Sequence, residues 1–180
     1  MLRLPDPPLG DGTVTLRPFG TEDIPDIVAA CRDPEIPRWT RVPDDYSEAD
    51  ARAFLAMASA GRTEGTAIVL AVCDATDEAV LGATGIHGIG EGTGEIGYWM
   101  RREARGRGVA TRAVRLVSGW ALTDLGLARL DLLAEPANAA SQRVAEKAGF
   151  SREGLLRGYR ELKGTRRDFV MFSLLAGDLD

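Results

Sequence analysis

The stretch that decides the fold is Met100-Arg101-Arg102-Glu103-Ala104-Arg105-Gly106-Arg107-Gly108-Val109-Ala110-Thr111. It follows a segment with the pattern of a strand and leads into a long amphipathic segment. A helix start exposes unpaired backbone N–H groups at the positive end of the helix dipole. Gly106 and Gly108 would let an anion approach that backbone closely, and Arg105 and Arg107 would add charge-assisted hydrogen bonds. The stretch therefore predicts a cradle for a pyrophosphate.

A solvated basic turn and an Arg-Gly nucleic-acid box are alternatives for the same stretch. The second is disfavoured because the stretch is short and the chain is acidic. A P-loop is excluded because no Gly-Lys-Ser/Thr follows. The upstream segment 92–97 matches the dinucleotide pattern G-x-G-x-x-G, but that pattern requires a helix after it. Here another strand-like segment, 98–100, follows, so we reject a dinucleotide site.

Hydrophobic periodicity on both sides of the cradle predicts alternating strands and helices. The predicted strands are 13–17, 66–73, 79–89, 94–100, 128–134, about 153–162 and 167–175. The predicted helices are 21–31, a segment from Ser47 that stops at Gly61 and Gly65, 109–125 with Gly126 as its C-cap, and 138–148. A loop with Pro34, Pro37 and Pro43 joins the first two helices. This order predicts a mixed α/β layer.

Composition limits the classes of function. The 180 residues fit a single domain, 1–180, and the 22 Lys and Arg against 27 Asp and Glu give a net charge of −5. A chain this acidic argues against a general nucleic-acid binder. The two cysteines lack metal spacing and there is one histidine, so we expect no metal site. No signal-peptide pattern and no stretch of about 20 apolar residues occurs, so we expect a cytoplasmic protein without a membrane partner.

The pattern Arg105-x-x-Gly108-x-Ala110 resembles the acyl-CoA pyrophosphate signature Q/R-x-x-G-x-G/A of the GNAT superfamily of N-acetyltransferases. Further matches to its RimJ/RimL-type branch are Ile96-Gly97-Tyr98-Trp99, Asn138-x-x-Ser141, Glu146-Lys147-Ala148-Gly149-Phe150, Glu153-Gly154 and the segment 167–175. The resemblance covers about residues 13–178. It implies an α/β fold (α+β by some schemes): a mixed, mostly antiparallel sheet of six or seven strands, with splayed central strands and about four flanking helices.

The resemblance also implies an enzyme that transfers an acetyl group from its co-substrate acetyl-CoA to a primary amine. The amine would be a protein or peptide N-terminus or a small molecule, and would attack directly through a tetrahedral intermediate. Alternatives are another acyl-CoA such as succinyl-CoA, an antibiotic or polyamine acceptor, or a CoA-binding module without catalysis. At pH 7 about one-seventh of an α-amine is neutral, against about one in 2,500 of a lysine, so an α-amine needs less base. Exposed strand edges in the C-terminal hairpin are compatible with a homodimer.

For the co-substrate, the resemblance implies that Tyr98, Trp99 and Met100 lie beside the pantetheine and thioester, where their backbone N–H groups would polarise the carbonyl. The residues that would hold the pyrophosphate, mostly by backbone, are Arg105, Gly106, Arg107, Gly108, Val109, Ala110 and Thr111. Asn138 would bond the pantetheine region or simply cap its own helix.

For catalysis, Glu95 is the candidate general base; the alternative is a solvent-facing carboxylate. His87, predicted to lie near Glu95, is a second candidate, and it would otherwise be structural or orient a water. Many family members have a Tyr where this chain has Ala145. The resemblance gives Ser141 the role of proton donor to the thiolate instead, although Ser141 in a first helical turn can also bond the backbone.

For the acceptor, the resemblance places Trp39, with Arg38 and Arg41, in a wall of the acceptor pocket. Tyr159 and Arg160 are expected in the opposite wall. The alternative for Trp39 is a surface loop anchored by one aromatic side chain.

Overall fold

The chain folds around one eight-stranded sheet, which the computed structural model describes over residues 1–179. The strands are β1 (Leu9–Gly10), β2 (Val14–Arg17), β3 (Ile68–Asp74), β4 (Val80–Gly90), β5 (Thr93–Met100), β6 (Arg129–Ala134), β7 (Ser151–Leu162) and β8 (Thr165–Leu175). Their order across the sheet is β1-β2-β3-β4-β5-β6-β8-β7. Only the β5–β6 pair is parallel, among the strands described, so the sheet is mixed and mostly antiparallel.

Five α-helices flank the sheet: α1 (Ile24–Cys31), α2 (Glu35–Trp39), α3 (Glu48–Glu64), α4 (Val109–Thr123) and α5 (Ala139–Lys147). Their starts follow local sequence. Ser47 caps α3 and forms a capping box with Asp50. Gly108, with φ of 80°, is the N-cap of α4, and the side chain of Asn138 caps α5.

The two faces of the sheet are covered by different helices. Helices α4 and α5 pack with the large core cluster, which includes Ile86, Ile96, Leu132 and Phe172. Helices α1, α2 and α3 form a second cluster with Trp99. Because side chains alternate along a strand, neighbouring residues of β5 face these two different environments.

The central strands β5 and β6 separate halfway along. They pair from Thr93↔Arg129 to Ile96↔Leu132 and no further, whereas β5 stays paired with β4 as far as Met100. The Arg101 backbone N–H donates to the Leu81 carbonyl at 2.9 Å. In an antiparallel pair, every second residue directs its N–H and C=O to the partner strand, so Arg101 and each second residue before it in β5 face β4. By that alternation the N–H and C=O of Tyr98 point away from β4, into the gap left by β6. The splay expected of the central strands is therefore present.

The structure differs from the sequence predictions in three places. The sheet has eight strands rather than six or seven, because Leu9–Gly10 pairs with β2. The proline loop contains α2, in which Pro37 lies in the first turn, where a backbone N–H needs no helical partner. Gly61 does not stop α3. It is buried, and a Cβ there would lie 2.9 Å from Ala67 Cβ, so glycine permits close packing on the chain that leads into β3. Within residues 1–179, no helix is long and apolar enough to cross a membrane.

Candidate active site

The predicted cradle is a loop that leaves β5, makes one 3-10 turn at Arg102–Ala104 and enters α4. Gly106 and Gly108 have φ of 73° and 80°, which L side chains rarely adopt. A Cβ at either glycine would meet nothing within 4 Å. The start of a 15-residue helix is thus open to an approaching anion, and this geometry fits a pyrophosphate.

The two arginines predicted to contact the pyrophosphate, Arg105 and Arg107, have different partners. Arg105 Nε donates to the Met100 carbonyl at 3.0 Å, and its Nη1 lies 3.0 Å from Asp33 Oδ2. Arg107 is exposed and makes only a 3.4 Å contact with the Glu103 carbonyl. Arg105 therefore fastens the end of β5 to the end of α1, while Arg107 is available to a ligand. Asp33 could not be predicted as a site residue, because no local pattern marks so distant a partner.

On the α4/α5 face, Tyr98 Oη donates to Ser141 Oγ at 2.9 Å. Burial raises the pKa of Tyr98 to about 12, against a smaller lowering by its hydrogen bond with Ser141. Ser141 Oγ makes no hydrogen bond to the backbone of the described residues, so the back-bonding alternative is not seen. The structure thus brings together Tyr98, predicted to lie beside the thioester, and Ser141, the predicted proton donor.

Asn138 adopts one of its two expected roles without losing the other. Its Oδ1 accepts from the Ser141 backbone N–H at 3.0 Å, which makes it the N-cap of α5. Its amide nitrogen has no hydrogen-bond partner within residues 1–179 and remains available to a ligand. The cap also fixes the first turn of α5, and with it the position of Ser141.

On the opposite face of β5, Glu95 forms a bidentate ion pair with Arg160, with N–O distances of 2.8 and 2.6 Å. The Arg160 guanidinium also lies 5.7 and 5.9 Å from the ring centroids of Tyr159 and Phe169. The hydrogen bonds that Arg160 donates to Glu95 raise the pKa of Arg160, so the guanidinium is charged. Arg160 and Tyr159 thus contact the predicted acceptor face, and Glu95 keeps one further lone pair on each oxygen.

His87 lies directly opposite Glu95 in the β4–β5 register, as expected. Its ring covers Gly97, where a Cβ would lie 3.2 Å from His87 Cδ2. Desolvation by the surrounding protein lowers the pKa of His87; Glu95 opposes this effect and Arg41 adds to it. This lowering favours the neutral imidazole at pH 7.

The polar face continues from Glu95 onto β6. Asp131 is the parallel-strand partner of Glu95, and its Oδ1 accepts from Arg129 Nε at 2.7 Å. Arg129 also forms a bidentate pair with Glu153 at 2.7 and 2.8 Å. Leu130 and Leu132 point to the α4/α5 core, so these charges lie on the other face. Two carboxylates, Glu95 and Asp131, thus stand side by side next to the gap.

The predicted acceptor walls contain several polar contacts, and one ion pair connects the two regions. Trp39 is half-buried, its Nε1 donates to Glu35 Oε2 at 3.3 Å, and Arg38 stacks on its ring at 4.6 Å. The tip of the β7–β8 hairpin reaches the loop after α2 through Lys163 and Asp44, at 2.6 Å. Arg38 is also paired with Glu35, so of the two arginines expected in this wall only Arg41 makes no ion pair within residues 1–179.

Comparison with known proteins gives one concordant result. Residues 13–151 match the family model described as an acetyltransferase (GNAT) domain. An uncharacterized N-acetyltransferase, p20 of Bacillus licheniformis, is 32% identical over 164 residues, which cover 90% of this chain and 92% of that protein. Among solved structures, Mycobacterium smegmatis RimJ in complex with CoA-disulfide aligns with a TM-score of 0.83 and 23% identity, over 92% of this chain and 83% of that one. The microcin C7 self-immunity acetyltransferase MccE, in complex with acetyl-CoA and AMP, aligns with a TM-score of 0.82 and 20% identity, over 92% and 93%.

Proposed function

The chain belongs to the GNAT family of acetyltransferases, and from that premise we propose that its acceptor is the α-amine of a peptide or protein N-terminus. It is an N-acetyltransferase with acetyl-CoA as co-substrate. The observation that supports a peptide acceptor is the polar face beside the β5–β6 gap, where Glu95 and Asp131 are neighbours. Each carboxylate is paired with an arginine but keeps further lone pairs, and these can accept hydrogen bonds from a terminal ammonium group. The face continues along β6 for the rest of a chain.

We assign the co-substrate to the gap and the cradle. The backbone N–H groups of residues 105–111 hold the pyrophosphate, and Arg107 adds charge. The pantetheine arm lies along β5 and pairs with the free backbone of Tyr98, beside Trp99 and Met100. Asn138 binds the arm through its amide nitrogen. Acetyl-CoA supplies the thioester carbonyl, which the backbone N–H groups of β5 polarise.

On the acceptor side, Glu95 takes the proton of the attacking amine, through one of its remaining lone pairs or through a water held by His87. Its bidentate ion pair with Arg160 fixes the position of the carboxylate. A carboxylate is a weak base. A weak base suffices for an α-amine, of which about one-seventh is already neutral at pH 7. Trp39 contributes to the wall that excludes water from the acceptor. On the other face, Ser141 is the hydroxyl donor toward the leaving sulfur.

Acetyl transfer to matched peptides tests the acceptor class. One peptide has a free N-terminus and no lysine; the second has the same sequence with an acetylated N-terminus and one lysine; a polyamine is the third acceptor. We expect the first to be acetylated with a kcat/KM at least about 100-fold above the second, because the neutral fractions differ by more than that. Preference for the lysine peptide or the polyamine would refute the proposal.

A second measurement separates the co-substrate from the acceptor. Calorimetry with acetyl-CoA, succinyl-CoA and CoA reports the cradle without any acceptor. Micromolar binding of acetyl-CoA without transfer to any amine would indicate a binding module and contradict the proposed activity.

A further inference from the structure

We propose that the phenol of Tyr98 is a positioning group that aims the Ser141 hydroxyl at the leaving sulfur. The inference rests on the proposed function, since it takes the thioester to lie in the gap between β5 and β6. Its basis is the contact between the two hydroxyls at 2.9 Å, on the face opposite Glu95.

In the contact between the two hydroxyls, the Tyr98 phenol donates and the Ser141 oxygen accepts. Tyr98 is largely surrounded by the α4/α5 core, and Ser141 Oγ is the one acceptor within reach of its hydroxyl among residues 1–179. A hydroxyl carries one donor and two acceptor sites. When Tyr98 donates, Ser141 has one lone pair occupied and its own proton directed elsewhere. The Asn138 cap on the Ser141 backbone N–H leaves the Ser141 Cα little freedom to move.

A lone serine in the first turn of a helix commonly rotates to bond a backbone carbonyl. Ser141 does not do so here, and the Tyr98 contact is the difference. A hydroxyl that accepts one hydrogen bond also becomes a better donor of another. The pair therefore converts a freely rotating hydroxyl into a directed donor.

The pair donates a hydrogen bond and keeps its protons. When the amine has added and the C–S bond breaks, the electron pair of that bond goes to sulfur. A thiol has a pKa of about 8.5, whereas burial raises that of Tyr98 to about 12, so the phenol does not give up its proton to the thiolate. The sulfur leaves as a thiolate that is stabilised by the Ser141 O–H and takes its proton from solvent. This role differs from the proton donor that the sequence resemblance implies.

The test compares Tyr98→Phe, Ser141→Ala and the double variant, with Tyr46→Phe as the control. Tyr46 is buried, whereas Tyr98 is half-buried, and the Tyr46 hydroxyl makes no hydrogen bond in the described chain. With the free-N-terminus peptide, we expect Tyr98→Phe to lower kcat about three- to tenfold and Ser141→Ala to lower it about 10- to 100-fold. The double variant should equal Ser141→Ala within about twofold, because Tyr98 acts through Ser141. The affinity for acetyl-CoA and the KM for the peptide should stay within about twofold throughout.

Wild-type turnover in Tyr98→Phe, or additive losses in the double variant, would overturn the role of Tyr98 and leave the proposed function standing. A loss of melting temperature and of acetyl-CoA affinity in Tyr98→Phe would show a structural tyrosine instead. Ser141→Ala decides the matter independently, since unchanged kcat in that variant removes the donor that Tyr98 would aim. A wild-type protein that binds acetyl-CoA but acetylates no amine would overturn the proposed function itself.

Discussion

Replacing Gly108 by alanine separates the backbone role of this residue from its role in the cradle. Gly108 has φ of 80° at the N-cap of α4. An L residue in the left-handed region costs about 1–2 kcal/mol, so the free energy of unfolding should fall by that amount. For a chain of this length the melting temperature should fall by about 2–4 °C per kcal/mol.

The same methyl group should also weaken the binding of acetyl-CoA, an effect separate from the backbone strain. Its Cβ would project into space that no protein atom within 4 Å occupies, which is where we place the pyrophosphate. Loss of one hydrogen bond to a charged group costs about 1.5–3 kcal/mol, or about 10- to 150-fold in the dissociation constant of acetyl-CoA. Calorimetry measures this constant, and thermal unfolding measures the strain.

Gly119→Ala is the matched control, because Gly119 lies inside the same helix and a Cβ there also meets nothing within 4 Å. Alanine in a helix interior should raise the free energy of unfolding by about 1 kcal/mol and leave acetyl-CoA binding unchanged. If Gly108→Ala shows the loss of stability but binds acetyl-CoA like the wild type, the cradle is not where we place it.

Contacts elsewhere in the chain lead to three further predictions. The Ser118 hydroxyl is buried without a hydrogen-bond partner among the described residues, so Ser118→Ala should raise the free energy of unfolding by about 1 kcal/mol in denaturant titrations. The hydrogen bonds that Arg17 donates to Asp23 hold the pKa of that carboxyl below its usual value. The ionised carboxylate therefore stabilises the fold at neutral pH, and this stabilisation is lost as the pH falls below about 4. Asp23→Asn should lower the free energy of unfolding by about 3 kcal/mol at pH 7 and should reduce the loss of stability on acidification. Glu95→Gln and Arg160→Met should each lower kcat/KM for the peptide at least about tenfold and leave the affinity for acetyl-CoA unchanged, a split that parallel effects on both quantities would contradict.

The cradle and the alternation of β5 could be predicted because both depend on residues close together in sequence. Gly106, Gly108 and the helical periodicity that follows them are local signals, and so is the placement of Glu95 on the same face as Trp99. The register that puts His87 opposite Glu95 could also be predicted from the sequence, since the two strands are consecutive.

The ion pairs of the site could not be predicted from local sequence. Glu95 and Arg160 are 65 positions apart, and their contact depends on the full order of the C-terminal strands. The local pattern assigns Arg105 to the phosphate, but its ion pair with Asp33 gives it a structural partner within the protein. The hydroxyl pair of Tyr98 and Ser141 likewise required the packing of α5 over β5.

The alternation of β5 also accounts for the proposed division of the reaction between groups on two faces of the sheet. Glu95 points to one face of the sheet and Tyr98 to the other, while the backbone N–H and C=O of Tyr98 face the gap. An amine that attacks the carbonyl from the Glu95 face leaves the sulfur to be met from the α5 face by Ser141. In the proposed mechanism, the group that receives the amine proton and the group that stabilises the thiolate are thus separated by the thickness of one strand. Changes on the Glu95 face should therefore alter acceptor kinetics, and changes on the Ser141 face should alter leaving-group departure, with little effect of either on co-substrate affinity.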